Sequence, residues 1–193
     1  KTILKELKTK KIYALLINNS EILLKKKYSY IFKQLTDLKK KKLIKKIGIS
    51  VYNPKVLNKI LKKFKFDLVQ FPGNLFDTRF LKNLDNYKSE GLELHVRSVF
   101  LQGVLLNNST PMRLRKYSNI LNRYYKFLNN NDIDPIQLCV NFILQFKKID
   151  KIVIGINSLN ELKQIVETKK IEKKYLKKNF YLKNSKLIDP RKW

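Results

Sequence analysis

Residues 46–73 read KIGISVYNPKVLNKILKKFKFDLVQFPG and contain one complete unit of alternating secondary structure. The segment Lys46–Val51 is short, apolar and rich in β-branched side chains, which predicts a buried strand. Asn53 and Pro54 follow it, and they have the residue types of a helix N-cap and of a first helical position. Asp67–Phe71 predicts a second buried strand, which ends at a Pro-Gly break. The stretch therefore predicts a strand–helix–strand unit.

The same alternation continues on both sides of this unit. Strands are predicted at Ile12–Ile17, Leu92–Val99 and Lys151–Gly155, and helices at Tyr28–Lys42, Phe76–Tyr87, Leu114–Leu128 and Ser158–Glu167 and from Asp134-Pro135 onward. Ser158 is followed by Glu161 at the spacing of a capping box. Five strands separated by helices predict parallel strands joined by crossovers, and hence an α/β sheet. The buried character of the strands suits a barrel and a doubly wound sheet equally well.

The composition excludes several classes of protein. Hydrophobic residues make up 44% of the 193 residues, which excludes a disordered tail. Five Gly and five Pro exclude a collagen-like chain, and one cysteine excludes a disulfide scaffold. No apolar run approaches the ~18 residues of a membrane span, and the Lys-rich N-terminus has no secretory signal pattern. We expect a single domain over residues 1–193, in the cytoplasm.

The net charge of +28 has two interpretations. Lys and Arg neutralise phosphates, so a polyanion partner such as a nucleic acid is one of them. However, 37 of the 43 basic residues are Lys and they are spread along the whole chain, whereas readers of bases favour Arg. Abundant Lys, Asn and Ile together are typical of an AT-rich genome. We favour a solvated, compositionally biased surface over a nucleic-acid partner.

Most other residues with reactive or ligand-binding side chains have ordinary structural interpretations. The sequence contains neither GxGxxG nor a P-loop, and one His and one Cys do not make a metal site. We expect His95 and Cys139 to have structural roles, because His95 lies near a strand start and Cys139 lies on an apolar helix face. Tyr124 and Tyr125 could stack on bases but more often pack a helix on a sheet. For Asp77 and Arg79 we favour an ion pair with each other.

Four motifs at predicted strand ends, together with the last residues, resemble the aldo/keto reductase family, in particular bacterial members found near sugar-biosynthesis functions. They are Gly48–Pro54 (GISVYNP), Val69–Phe80 (VQFPGNLFDTRF), His95–Gly103 (HVRSVFLQG), Val153–Leu162 (VIGINSLNEL) and Asp189–Trp193 (DPRKW). Each motif alone is weak, but their order and spacing make a fairly specific set. The resemblance extends from about Lys10 to Trp193.

The resemblance implies a (β/α)8 TIM barrel, of which this chain has strands 4 to 8 with their helices. A complete barrel of this type needs about 250 residues. We therefore expect an N-terminally incomplete barrel that lacks the first three βα units. Five strands cannot close a barrel, so its first and last strands would be open edges.

The resemblance also implies a reaction. In the family, NADPH gives a hydride to a carbonyl carbon, a Tyr tuned by a Lys and an Asp protonates the oxygen, and a His orients the carbonyl. The Asp, Tyr and Lys belong to the early βα units, and Asn18 stands at the position of the family His. An amide can donate a hydrogen bond to a carbonyl but cannot transfer a proton. We therefore expect the chain to be inactive, and the alternative for Asn18 is a strand-end cap in a loop.

The residues that bind the cofactor in this family are better represented in this chain than the catalytic residues are. By resemblance, the residues that would bind the cofactor are Ser50 and Gln70 at the nicotinamide carboxamide, Ser98 at the nicotinamide ring, Phe100, Leu101 and Gly103 beside the pyrophosphate, and Gly155, Asn157 and Ser158 at the adenosine phosphate. Ser98 replaces an aromatic residue that stacks on the ring in many members. Basic residues for a 2′-phosphate are not evident in Ile156–Leu162, so NADP and NAD both stay open.

The sequence therefore leaves three possible functions open. The first is NAD(P)H-dependent carbonyl reduction of a small carbonyl or sugar-type substrate. The second is a non-catalytic barrel remnant or binding module, and the third is a basic protein that binds polyanions. The sequence predicts no membrane partner and no metal, and it does not identify the substrate or the oligomeric state.

Overall fold

The structure, a computed structural model, describes residues 2–178, 180–182 and 186–193. The strands are β1 (Ile12–Ile17), β2 (Ile44–Ser50), β3 (Leu68–Pro72), β4 (Glu93–Arg97) and β5 (Lys151–Ile152). The helices are α1 (Thr2–Glu6), α2 (Ser29–Lys40), α3 (Pro54–Leu61), α4 (Leu84–Ser89), α5 (Ser118–Asn130), α6 (Pro135–Leu144), α7 (Leu159–Val166) and α8 (Lys173–Leu176). The described residues contain no helix with the length and apolarity of a bilayer span.

The five strands form one parallel sheet in the order β1-β2-β3-β4-β5. Ile17 lies opposite Ile49, and Ser50 lies opposite Gln70. Because neighbouring strands follow one another along the chain, the order does not reverse within the described strands. A reversal of this kind defines a doubly wound sheet, whereas the sequential order is that of a (β/α)8 barrel. The fold is therefore α/β and corresponds to part of such a barrel.

The chain divides into two compact units, and the first comprises Lys1–Phe71 and Leu84–His95. Its core is built from the inner faces of β2 and β3 and the apolar face of α3, where Ile49, Leu57 and Leu68 are fully buried. Helix α3 begins as its sequence predicts, because the side chain of Asn53 accepts a hydrogen bond from the backbone N–H of Lys55 at 2.9 Å.

The second unit comprises Pro72–Asn83 and Val96–Trp193, and its core contains a cluster of aromatic rings. The ring of Phe180 lies 5.8 Å from that of Phe76 and 5.3 Å from that of Tyr124. Tyr124 and Tyr125 are buried, which confirms packing for both rings and not stacking on bases. Cys139 is also a buried core residue, as expected, and burial raises the pKa of its thiol to about 12.

The predicted helix Phe76–Tyr87 is wrong in its first half. The side-chain oxygen of Asn74 accepts hydrogen bonds from the backbone N–H groups of Phe76 and Asp77, both at 2.9 Å. This turn competes with helix formation, so regular helix begins only with α4. The ion pair between Asp77 and Arg79 is confirmed, with 2.7 Å between Arg79 Nη2 and Asp77 Oδ2.

Three other predicted elements extend further than the observed strands and helix do. The strand predicted to reach Val99 ends at Arg97, because Ser98 has a left-handed backbone with a φ of 58°. The last strand has only the two residues of β5. The helix predicted from Leu114 begins with a 3-10 segment, and α5 itself starts four residues later.

Candidate functional site

The second unit contains a cleft of about 680 Å³ beyond the carboxyl ends of β4 and β5. Two segments supply almost all of its lining: residues 97–107 after β4, and residues 153–165, which pass from the end of β5 into α7. Ile136 of α6 also lines it. Ligands of parallel α/β proteins bind at the carboxyl ends of the strands, so the cleft lies where this fold places its sites.

The first wall of the cleft is a strained loop. Ser98, Leu101 and Gln102 have positive φ angles of 58°, 47° and 55°, and Gly103 follows with 81°. A left-handed backbone costs a residue other than glycine about 1–2 kcal/mol. Three such residues within five positions are maintained only where the surroundings fix them, and this kind of strain clusters at binding and catalytic sites.

Buried side chains hold both ends of this loop. At its start, Asn74 Nδ2 donates a hydrogen bond to the carbonyl oxygen of Ser98 at 2.9 Å. At its end, the hydroxyl of Tyr125 donates to the carbonyl of Val104 at 2.9 Å, and the hydroxyl of Tyr124 donates to the next carbonyl at 3.0 Å. Burial raises the pKa of Tyr125 from its ordinary value of 10 to about 12, which extends the pH range over which this hydroxyl remains a donor.

The second wall is the turn that leads into α7. Ser158 caps the helix, because its Oγ accepts the backbone N–H of Glu161 at 3.1 Å. The predicted capping box is modified: Glu161 Oε2 accepts the backbone N–H of Asn157 at 2.7 Å, one residue before the N-cap. This bond fixes the Glu161 carboxylate beside the turn, and both Asn157 and Glu161 line the cleft.

Two glycines leave open space in the lining. A Cβ placed on Gly103 or on Gly155 would meet no atom of the described residues within 4 Å, and both residues line the cleft. The absence of a side chain at these positions lets a ligand approach the backbone closely.

The structure brings most of the predicted cofactor residues of the second unit together. Ser98, Phe100, Gly103, Gly155 and Asn157 all line the one cleft. The two remaining residues do not line it. The side chain of Leu101 is buried, with 1% exposed, and the hydroxyl of Ser158 caps α7.

The other predicted site residues belong to the first unit. Ser50 and Gln70 lie opposite each other on β2 and β3, and the backbone N–H of Val51 donates to the carbonyl of Gln70 at 3.0 Å. Ser50 is buried and Gln70 is half-buried. Asn18 is exposed and directly follows β1.

Sequence reasoning missed several lining residues, among them Arg97, Asn107 and Glu161. Glu161 follows Ser158 at the spacing of a capping box. This spacing predicts the start of a helix but not a residue that lines a cleft. Gln102 stands inside a motif of the resemblance, yet nothing in its residue type predicts a left-handed backbone. In the described part of the chain, no group of His, Cys, Asp and Glu side chains could hold a metal ion.

A parallel sheet with sequential strand order and a cleft at the carboxyl ends of its strands defines a protein of the (β/α)8-barrel class. The model of the aldo/keto reductase family matches residues 1–178. The chain therefore belongs to the aldo/keto reductase family, as its motifs implied.

Solved structures show the same fold. The aldo-keto reductase AKR11C1 from Bacillus halodurans matches 90% of this chain and 62% of its own, with a TM-score of 0.73 and 20% identity. The aldo-keto reductase MGS-M4 from a Medee basin deep-sea metagenome library matches 98% of this chain and 68% of its own, with a TM-score of 0.63 and 17% identity. The glycerol dehydrogenase AKR11B4 from Gluconobacter oxydans has a TM-score of 0.55 at 16% identity, over 85% of this chain and 60% of its own.

These identities establish the likeness in fold alone. This chain corresponds to 62% of the length of the first of these structures. No match was found among curated proteins.

Proposed function

We propose that this chain binds a nicotinamide dinucleotide in the cleft of its second unit and forms the cofactor-binding part of a carbonyl-reducing oxidoreductase. The observation that carries the proposal is the strained loop from Ser98 to Gly103, which faces the turn at Gly155 across one cleft. When bound, a reduced nicotinamide supplies a hydride to the carbonyl carbon of the substrate, for which we propose a small carbonyl or sugar-type compound.

The residues of the cleft fit a dinucleotide. Pockets for small molecules and cofactors measure about 300–1,000 Å³, a range that includes this cleft. Its polar side chains include Arg97, which can pair with a phosphate. Gly103 and Gly155 leave room for the ligand against the backbone. A loop that is already held in a strained conformation needs little reordering when it binds a ligand.

The residues of the first unit are considered by themselves. The roles that the family resemblance implies for Ser50 and Gln70, at a nicotinamide carboxamide, and for Asn18, at a substrate carbonyl, stay predictions. The amide of Asn18 can donate to the carbonyl oxygen but cannot transfer the proton that the oxygen needs. We therefore propose that this chain binds the cofactor without reducing a carbonyl.

Titration of the chain with NADH and with NADPH, followed by nucleotide fluorescence, tests the proposal. We expect saturable binding by the unmodified chain and its loss in Gly155→Val, because the added side chain starts from a Cβ that has no protein atom within 4 Å and takes up space in the cleft. Gly91→Ala is the control: it strains a residue with a φ of 75° outside the lining, so it should lower the melting temperature and leave the Kd unchanged.

Two results would contradict the proposal: no saturable binding of either nucleotide, or equal binding by Gly155→Val and the unmodified chain. A second readout separates the two functional classes. Loss of NADPH absorbance in the presence of a small aldehyde would show that the chain alone is a reductase, contrary to the proposed cofactor-binding role.

A further inference from the structure

The charges in the cleft differ from those of the rest of the chain. Of the 193 residues, 43 are Lys or Arg and 15 are Asp or Glu. Of the described residues that line the cleft, however, Arg97 alone carries a positive charge and Glu161 alone a negative one. The excess of positive charge therefore does not extend to the ligand-facing surface.

These two charges belong to different walls. Arg97 ends β4 at the start of the strained loop, and its Nη1 lies 3.3 Å from Ser98 Oγ. Glu161 lies in the first turn of α7, and its carboxylate is fixed by the backbone N–H of Asn157 at 2.7 Å. A dinucleotide along the cleft would have a cation beside one part and a carboxylate beside another.

The pyrophosphate is common to NAD and NADP, and it would use the single lining cation. The 2′-phosphate of NADP would then meet no lining cation, and near α7 it would meet Glu161. Like charges in a partly desolvated cleft repel, whereas a ribose hydroxyl can donate a hydrogen bond to the same carboxylate. An acidic residue that accepts from a ribose 2′-hydroxyl is a general device for selecting NAD.

We infer that the cleft selects NAD over NADP and that Glu161 is the residue responsible. This inference rests on the proposed function, because it requires a dinucleotide in the cleft. Glu161 acts through its charge and through its fixed position in the cleft wall that the adenosine ribose would contact. Asn157 is a positioning residue, since its backbone N–H holds the carboxylate in place.

The test uses ADP-ribose and 2′-phospho-ADP-ribose, so that it measures binding without any reaction. Calorimetric titration of the unmodified chain should give a Kd for ADP-ribose at least about tenfold lower than that for the phosphorylated probe. Glu161→Gln keeps the side-chain shape and removes the charge, and it should tighten binding of the phosphorylated probe by about tenfold while changing ADP-ribose binding little.

Glu167→Gln is the matched control, because Glu167 is exposed at the other end of α7 and does not line the cleft. It removes the same charge and should leave the ratio of the two Kd values unchanged. An equal change of the Kd ratio in Glu161→Gln and Glu167→Gln would overturn the assignment of selectivity to Glu161, because it would show a long-range effect of net charge.

The inference and the proposed function fail in different ways. If neither probe binds, no nucleotide occupies the cleft and the proposed function itself is contradicted. If both probes bind the unmodified chain with equal Kd values, the proposed function stands and the selection of NAD is overturned. A lower melting temperature of Glu161→Gln, through the weakened cap, should affect both probes alike.

Discussion

Two glutamates of this chain show how differently one residue type can be used. Glu93 begins β4 in the first unit, where three side chains bond its carboxylate. Glu161 lies in the second unit beside a cleft, where its carboxylate accepts the backbone N–H of Asn157. The first carboxylate is bonded by three side chains, and the second is held by one backbone group and lines the cleft.

The cluster around Glu93 joins three strands. Tyr13 of β1 donates to Glu93 Oε2 at 2.5 Å, Lys46 of β2 pairs with the same oxygen, and His95 Nε2 lies 2.6 Å from Oε1. Burial raises the pKa of Glu93, but the hydrogen bonds from Lys46, Tyr13 and His95 outweigh it and lower the pKa to about 2. The cluster also engages His95, in agreement with a structural role.

The two carboxylates differ in the number of their protein partners although their residue type is the same. A carboxylate whose oxygens are used by neighbouring side chains stabilises the fold, and its neighbours lose partners if it is removed. A carboxylate fixed by one bond beside a cavity keeps capacity for a ligand. The predictions below test this contrast, from the largest expected effect to the smallest.

Glu93→Gln should lower the free energy of unfolding by about 3 kcal/mol, because it leaves Lys46 and His95 beside an uncharged amide. Urea unfolding followed by circular dichroism measures this change. Glu90→Gln, at an exposed residue that precedes the same strand, should change the free energy by no more than about 0.5 kcal/mol. Equal effects of the two variants would show that the cluster does not stabilise the fold.

The depressed pKa of Glu93 also predicts a dependence of stability on pH. Its folded pKa of about 2 lies below the ordinary value of 4.5, so its contribution is complete above about pH 4.5 and is lost as the pH falls toward 2. The free energy of unfolding should therefore decrease over this range by up to about 3 kcal/mol from this group. The decrease should be smaller in Glu93→Gln, and an identical pH profile for the two proteins would refute the assignment.

Tyr125→Phe should lower the free energy of unfolding by about 1 kcal/mol, because the carbonyl of Val104 loses its donor. The strained loop would be less firmly held, so binding of NADH should weaken severalfold in the fluorescence titration. Tyr117→Phe is the control, since Tyr117 precedes α5 and does not line the cleft. If NADH binding weakens equally in both variants, the hydroxyl of Tyr125 does not support the loop.

A change of salt concentration should have the smallest of these effects, and it acts on the selectivity between two nucleotide probes. The unmodified chain and Glu161→Gln are predicted to differ in their preference between ADP-ribose and 2′-phospho-ADP-ribose. This difference should shrink when salt is raised from about 0.1 M to about 1 M, because the Debye length falls from about 10 Å to about 3 Å. Calorimetric titration at both concentrations measures it, and a difference that salt leaves unchanged would indicate shape and not charge as its cause.

Much of the fold could be predicted because the signals are local. The N-caps at Asn53, Asp134 and Ser158 each accept the predicted kind of backbone hydrogen bond, since such a cap needs only residues a few positions apart. The first strand has the predicted limits, because a clean apolar run is bounded by polar residues. The helix predicted at Phe76 failed where the Asn74 turn competed with it.

The cleft could be predicted only in part. Its glycines and its place after the strands follow from the motifs, whereas the left-handed backbones of Leu101 and Gln102 depend on tertiary packing. The hydroxyls of Tyr124 and Tyr125 and the side-chain amide of Asn74 hold this loop. These residues are distant from the loop in sequence, so no local pattern predicts the contacts. The orientation of the Glu161 carboxylate is likewise visible only in three dimensions.

Hydrogen exchange measured by mass spectrometry, with and without NADH, tests the central claim most directly. We predict that NADH slows amide exchange in residues 97–107 and 153–165 of the second unit, because these segments line the cleft. In Gly155→Val the same addition should leave exchange unchanged. Protection confined to the Lys-rich helices, or no protection in either segment at saturating NADH, would contradict a nucleotide site in this cleft.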